Sequence, residues 1–525
     1  MPSTSFDPDA LPFRRALIVA VACVGAVVAG AMLADQPYLI FAGLAGLVYV
    51  GTLTVNCRVL AWLVIALQPA ALIVPFFPGR PFWWELCALL AWPSLLAYGL
   101  VNRRKIEVVA FDRAERWALA ALGGYVAVIL GTMAYRGVGL RVLGGEQMGG
   151  RVYVQQLVLA ILPVLMILAG FTRRQLCLAM IAGWVLSLTY LVSEFTFARS
   201  GEMETVLYFF ELPTDGLNFS FGYNVSGVRR FGSLAAVASA GLACLWVMAS
   251  MRELLGRWLL ITCPLMIGLL GLGLGSGYRN VLATAVVTFF CLTLFQRFWD
   301  FRRVLAAVVV VGGMIATLYA FADQLPLSVQ RSVSFFPGLD ISPVAKADAA
   351  TTNSDRVEVI KRAAADVPRY WLTGRGFGMD RFDRVPVDSN DSVSLLYSQG
   401  MFYNGFIGTL LKLGIPGLLF SLAFIWNASR MALELRRMVS RRSSDTWSFF
   451  DRLCLLLCAQ WFAAVVLFYL TNGDVTWWMQ YFGLSAGLIM ACRRLQQSGD
   501  AELVGNDVEP NQRSKGGLEE IPASH

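Results

Sequence analysis

Residues 401–426 read MFYNGFIGTLLKLGIPGLLFSLAFIW, an apolar run with a single charge, Lys412. A hydrocarbon core about 30 Å thick is crossed by about 20 helical residues, so this stretch is long enough to span a bilayer. It shows no period-2 alternation. Inside lipid, a chain that does not close into a barrel must satisfy its own backbone as helix. Comparable runs recur from Ala16 to Met490. The same rule predicts helices over 16–34, 37–55, 58–77, 82–101, 117–135, 153–171, 175–197, 231–251, 258–275, 279–296, 304–321, 401–426, 453–471 and 476–492. The expected fold is an all-α polytopic membrane protein of about 14 transmembrane helices with one large outer loop.

Composition agrees. Of 525 residues, 57% are hydrophobic and 15% charged, whereas soluble proteins carry about 25% charge. The only histidine is His525, which excludes histidine catalysis, histidine metal ligation and a Ser-His-Asp triad. The ten cysteines, at 23, 57, 87, 177, 244, 263, 291, 454, 458 and 492, lie in or beside apolar runs, and no CxxC occurs. They read as buried structural thiols, with no metal site and no cofactor expected. The polar start ends in Arg14-Arg15 and leads into an apolar run without a clear small-residue cleavage site. That reads as a retained first span.

Lys and Arg near span ends set the orientation. Arg14-Arg15, Arg103-Arg104-Lys105, Arg173-Arg174, Arg302-Arg303, Arg436-Arg437, Arg441-Arg442 and Arg493-Arg494 fall on one side of this topology. That side is read as cytoplasmic. The net charge of +8 is then a consequence of topology and no sign of nucleic acid. The expected organisation is a cytoplasmic N-terminus (1–15), a bundle (16–321) with an outer loop at 198–230, a large outer loop (322–400), a second bundle (401–492) and a disordered cytoplasmic tail (493–525). No repeat of 20–50 residues is present.

Within the large loop, Asp355 and Glu358 fit a capping box. Val357, Ile360, Ala364 and Val367 follow near helical spacing, and Pro368 closes the segment. This predicts an amphipathic helix over 355–367 with Arg356, Lys361 and Arg362 on its polar side. The turn-rich stretch from Trp371 to Gly378 has glycines at 374, 376 and 378, which would let the backbone approach a ligand closely. It does not open a helix after a strand, so a dinucleotide fingerprint is rejected. Arg229, Arg230, Arg279, Arg356 and Arg375 are candidates to converge on one outer-facing cavity. Guanidinium groups are always charged and bind phosphate oxygens bidentately. Lys412, inside a span, is a functional candidate by position or a buried paired lysine, with Glu85 and Glu194 as possible partners. The tryptophan pairs at 83–84 and 477–478 read as interface belts.

Four stretches then match a family pattern in order. They are Arg229-Arg230-Phe231-Gly232-Ser233, Gly275-Ser276-Gly277-Tyr278-Arg279, Ser354-Asp355-Arg356 leading to Leu372–Gly378, and Tyr403-Asn404 leading to Gly414 and Gly417. Together, over about 229–420, they resemble the O-antigen ligase and polymerase superfamily of bacterial inner-membrane proteins. The resemblance implies transfer of a glycan carried on undecaprenyl diphosphate, on the periplasmic side. The acceptor would be another glycan (polymerase) or lipid A–core (ligase), with membrane lipids around the protein and a chain-length regulator as an optional partner. It implies that Arg230, Arg279 and Arg356 hold the diphosphate, and it places Tyr403 and Asn404 at the catalytic position. The family histidine is replaced here by Tyr403, a poor base at neutral pH with a pKa near about 10. Carboxylates that could serve instead are Glu194, Asp355, Glu358, Asp380 and Asp383; alternatively, the arginines and the good diphosphate leaving group suffice without a base. Two other readings compete: a flippase or transporter for a lipid-linked saccharide, which the span count suits, and a non-catalytic scaffold. The scarcity of acidic residues near mid-membrane speaks against ion-coupled transport.

Overall fold

A computed structural model describes residues 46, 57–75, 80–101, 111–138, 149–199, 209–211, 228, 230–254, 256, 258–298, 312–313, 315–378, 392–398, 400–442 and 446–508. The protein is all-α: about 80% is helical and no strand is present among the described residues. Five helices there are long and apolar enough to cross a membrane: Arg113–Arg136, Gly150–Leu168, Arg173–Glu194, Gly405–Ser440 and Phe449–Thr471. Shorter apolar helices are Cys57–Leu67, Gly232–Met248, Leu260–Gly275 and Arg279–Phe295. The helices expected at 16–34 and 37–55, and most of 304–321, lie outside the described residues.

Local chemistry breaks several expected spans. The helix expected over 58–77 stops at Leu67. Pro69 and Pro75 follow, and a proline withdraws a donor and disfavours helix in the residue before it. The chain beyond makes isolated bridges, Leu72 to Phe210 and Ile73 to Phe82. The helix expected over 175–197 breaks at Ser187 and Leu188. There the Ser187 hydroxyl donates to the Trp184 carbonyl at 2.7 Å, and Thr189 Oγ1 accepts from the Ala71 amide at 2.9 Å. Such side-chain bonds compete with the helical ladder.

The core forms where Gly405–Ser440 packs against Arg113–Arg136, Phe449–Leu467 and Leu484–Val508. Trp461, Trp478, Tyr125, Phe424 and Phe482 are fully buried there. Tyr125 stacks on Trp478 with ring centroids 4.4 Å apart. One end of this bundle is tied by ions. Glu115, 2% exposed, takes Arg494 at 2.6 Å, while Arg493 pairs with Asp112 and with Glu434 at 2.9 Å. The helix Leu484–Val508 carries these arginines and runs past residue 493, into the segment expected to be a disordered tail. Residues 509–525 lie outside the described residues. Removing one partner of a buried ion pair strands the other, at about 3 kcal/mol or more. Glu115→Ala should therefore lower the unfolding midpoint of the purified protein in detergent; an unshifted midpoint would contradict this role.

The stretch 401–426 is a broken helix. Gly414 sits at φ 70°, inside a helix that carries Pro416 two residues on. The break frees the carbonyls of Leu411 and Lys412. The turn after Tyr370 satisfies them: Arg375 N donates to Leu411 O at 2.7 Å and Gly376 N to Lys412 O at 2.9 Å. In return Ile415 N donates to Trp371 O at 2.7 Å. Irregular backbone at membrane depth is tolerated when protein groups satisfy it in this way. Gly374 and Gly376, at φ 72° and 82°, allow the approach, since a Cβ on Gly374 would collide with the Lys412 carbonyl. Phe377 N donates to Tyr153 Oη at 2.9 Å, and Arg136 Nε donates to Gly374 O at 2.9 Å. Two of the glycines expected to let the backbone approach a ligand, Gly374 and Gly376, face neighbouring helices.

Candidate functional site

Arg230 and Arg279 come together through their backbones. Phe231 N donates to Ser276 O at 2.8 Å, which joins the segment bearing Arg230 to the turn at 276–278 between two apolar helices. Arg279 is the first residue of the helix after that turn. Glu194 fixes the other side of the segment: its Oε1 accepts from Gly232 N at 2.5 Å and its Oε2 from the Ser233 hydroxyl. Both carboxylate oxygens are thus spent on the start of the Gly232–Met248 helix. This answers the expectation that Glu194 might act as a base or pair with Lys412. Charge at a helix N-terminus is stabilising by about 0.3–1 kcal/mol, so Glu194→Gln should lower the unfolding midpoint in detergent modestly. An unchanged midpoint would overturn this capping role.

Arg356 arrives from a different direction. The helix expected over 355–367 runs from Pro343 to Tyr370, with Pro343 in its first turn and Pro368 inside its last turns. Asp355 is therefore mid-helix and caps nothing. The buried face is also rotated from the expected one: Ala345, Ala349, Val359 and Ala363 are buried, while Val357 is 51% exposed. Arg356 falls on this inward stripe, three residues before Val359 and seven after Ala349, and Lys361 and Arg362 stay exposed. Asn353, one turn earlier, accepts from Arg279 Nη1 at 3.0 Å, and Arg279 Nη2 reaches Ser334 Oγ at 3.3 Å. Arg230, Arg331 and Arg356 all lie within electrostatic reach of Arg279.

Arg331 carried no signal in the sequence reading. It is 4% exposed and holds three elements at once. Its Nη1 donates to Gly277 O at 2.6 Å, its Nη2 to Thr352 Oγ1 at 3.2 Å, and its Nε pairs with Asp348. It thereby clamps the 276–278 turn to the Pro343–Tyr370 helix and fixes where Arg279 stands relative to Arg356.

Tyr403 closes the site. It adopts φ 52°, a left-handed conformation that is rare for an aromatic residue. The Asn404 side chain beside it accepts from Phe406 N at 3.1 Å and Ile407 N at 3.0 Å, capping the Gly405–Ser440 helix. Asn404 is thus a positioning residue. Arg356 lies over the Tyr403 ring, 4.7 Å from its centroid. A tyrosine hydroxyl, with an ordinary pKa near about 10, is protonated at neutral pH. Burial, with repulsion from Arg230 and Arg331, pulls the Arg356 guanidinium down from its ordinary value. The Nε atoms of Arg279 and Arg356 are buried without a hydrogen-bond partner among the described residues. Buried donors are ordinarily paired, so these two stand ready for an acceptor.

Arg229 lies outside the described residues, as do Asp380 and Asp383. Arg375 sits in the turn that plugs the broken helix, over the Tyr397 ring at 5.2 Å and in electrostatic reach of Lys412. Lys412 is 3% exposed and pairs with neither Glu85 nor Glu194. Its Nζ donates to Thr476 Oγ1 at 2.9 Å and meets Asp474 Oδ1 at 3.5 Å. Glu85 is held instead by Gln155 at 2.7 Å and by Phe82 N at 3.1 Å. Among the described residues no group of His, Cys, Asp and Glu could hold a metal ion. The arrangement is a cluster of guanidinium groups beside a neutral tyrosine, suited to binding a polyanionic phosphate group. No protein-family model matches this chain, and no curated protein matches it.

Proposed function

We propose that this protein transfers an oligosaccharide from undecaprenyl diphosphate to a glycan acceptor at the outer face of the bacterial inner membrane, as a polysaccharide or O-antigen polymerase or as an O-antigen ligase. In this reading the chain crosses the membrane about 14 times and 322–400 is periplasmic. The observation that carries it is the convergence of Arg230, Arg279 and Arg356, two of them with buried Nε donors that have no partner among the described residues. Breaking the sugar–phosphate bond leaves negative charge on the diphosphate. Preorganised guanidinium donors in a site screened from water stabilise that charge strongly and need no metal. The resemblance of the four ordered motifs to the O-antigen ligase and polymerase superfamily supports the same chemistry. The acceptor follows from neither.

Deleting the gene and comparing surface glycans on a gel tests the reading. Loss of long chains marks a polymerase, and loss of attachment to lipid A–core marks a ligase. Donor accumulating on the cytoplasmic face would mean that the protein is a flippase. Unchanged glycans would contradict all three.

A further inference from the structure

The transfer reading needs a group to take the proton from the acceptor hydroxyl, and among the described residues two of the carboxylates named from sequence are engaged elsewhere. Glu194 has both oxygens engaged in capping. Glu358 pairs with Arg362 on the exposed side of its helix, at 3.4 Å. The Tyr403 hydroxyl keeps its proton. Asp474, in the short connection after Phe449–Thr471, is better placed. Its neighbour Gly473 packs backbone to backbone on Gly405, where a Cβ would lie 2.6 Å from Gly405 Cα. Val475 packs on Gly408 of the same first helical turn. The connection therefore lies directly against 403–408.

The two oxygens of Asp474 differ. Oδ1 accepts from Thr476 N at 2.9 Å and meets Lys412 Nζ at 3.5 Å. Oδ2 has no hydrogen-bond partner among the described residues, and the side chain is 20% exposed. A carboxylate gripped by one oxygen and open at the other is oriented for proton transfer. Lys412 is buried against the rings of Phe377 and Phe402, at 5.3 and 5.5 Å, so its charge cannot swing away. Asp474 acts on Tyr403 electrostatically more strongly than Asp355 does.

We propose that Asp474 is the general base of the transfer, with Lys412 and Thr476 as its positioning residues and Tyr403 standing between it and the arginine cluster. This rests on the transfer reading above. The acceptor hydroxyl oxygen attacks the anomeric carbon as its proton passes to Asp474 Oδ2. The bond from that carbon to the diphosphate oxygen breaks, and its electron pair leaves on undecaprenyl diphosphate. A new glycosidic bond and free undecaprenyl diphosphate result, and Asp474 returns its proton to water. Reaction by attack on the face opposite the leaving group, with one carboxylate as base, is the pattern of inverting glycoside chemistry.

The test uses full-length protein in proteoliposomes with lipid-linked oligosaccharide extracted from cells that make it, as donor and glycan acceptor, and with lipid A–core as a second acceptor; release of undecaprenyl diphosphate is the signal. Asp474→Asn, nearly isosteric, should lower kcat about 10²–10⁴-fold, while binding of undecaprenyl diphosphate itself persists and reports an intact fold. Formate should restore part of the rate in Asp474→Gly. Full turnover by Asp474→Asn, or loss of turnover in Asp355→Asn alone, would overturn the assignment and leave the transfer reading standing. Loss of both turnover and undecaprenyl diphosphate binding in Asp474→Asn would make its role structural and overturn the assignment equally. Absence of turnover by the wild type would overturn the transfer reading, and the base with it.

Discussion

Arg356→Ala is expected to lower glycan transfer by about 10²–10³-fold, the usual cost of deleting one preorganised donor to developing charge. Arg356 is the cation whose position depends on most of the site. It projects from the inward stripe of the Pro343–Tyr370 helix, lies over Tyr403 and has no acceptor for its Nε among the described residues. The protein should remain folded, because removing a partly buried cation crowded by Arg230, Arg279 and Arg331 relieves repulsion. Arg356→Lys should recover little, since an ammonium cannot reproduce the planar fork of donors. Glycan chain length or lipid A–core attachment in cells carrying each variant measures the effect. Wild-type glycans with Arg356→Ala would remove this residue from the site.

Gly374→Val is expected to destabilise the protein by about 3 kcal/mol or more, through strain at positive φ and loss of buried hydrogen bonds. Gly374 sits at φ 72°, and its Cα faces the backbone of Lys412 and Leu413. A β-branched side chain there would push the turn off the broken helix. The amides of Arg375 and Gly376 would withdraw from the Leu411 and Lys412 carbonyls, leaving both unsatisfied at membrane depth. The damage should spread to Lys412, and through it to Asp474. Detergent-solubilised variant should show a lower thermal midpoint and faster proteolysis between 371 and 415. A midpoint equal to wild type would show that the plug is dispensable.

The helical membrane character was legible from apolar run length alone, because bilayer thickness and backbone hydrogen bonding leave few alternatives. Where the runs break was less legible. Ser187 and Thr189 look apolar-compatible in a sequence window, yet the Ser187 hydroxyl captures a carbonyl of its own helix and the Thr189 hydroxyl an amide from a distant segment. Within the site, Arg230, Arg279 and Arg356 could be read because each stands next to a turn or motif. Arg331 could not, since its three partners come from Gly277, Asp348 and Thr352 and only the fold brings them together. The phase of the helix bearing Arg356 was misread because its inward face is marked by Ala345, Ala349 and Ala363, whose hydropathy is weak beside that of exposed Val357. Lys412 announced itself as a charge within a span. Its partner Asp474 lies in a connection separated from it by two helices, and nothing in the sequence links the two.

The central claim is that the arginine cluster holds a lipid diphosphate. Titrating undecaprenyl diphosphate into the full-length protein in nanodiscs, and reading the bound fraction by native mass spectrometry, addresses it most directly. Wild type should bind saturably, with binding lost in Arg279→Ala and in Arg356→Ala but retained in Glu194→Gln. Equal binding by wild type and both arginine variants would contradict it.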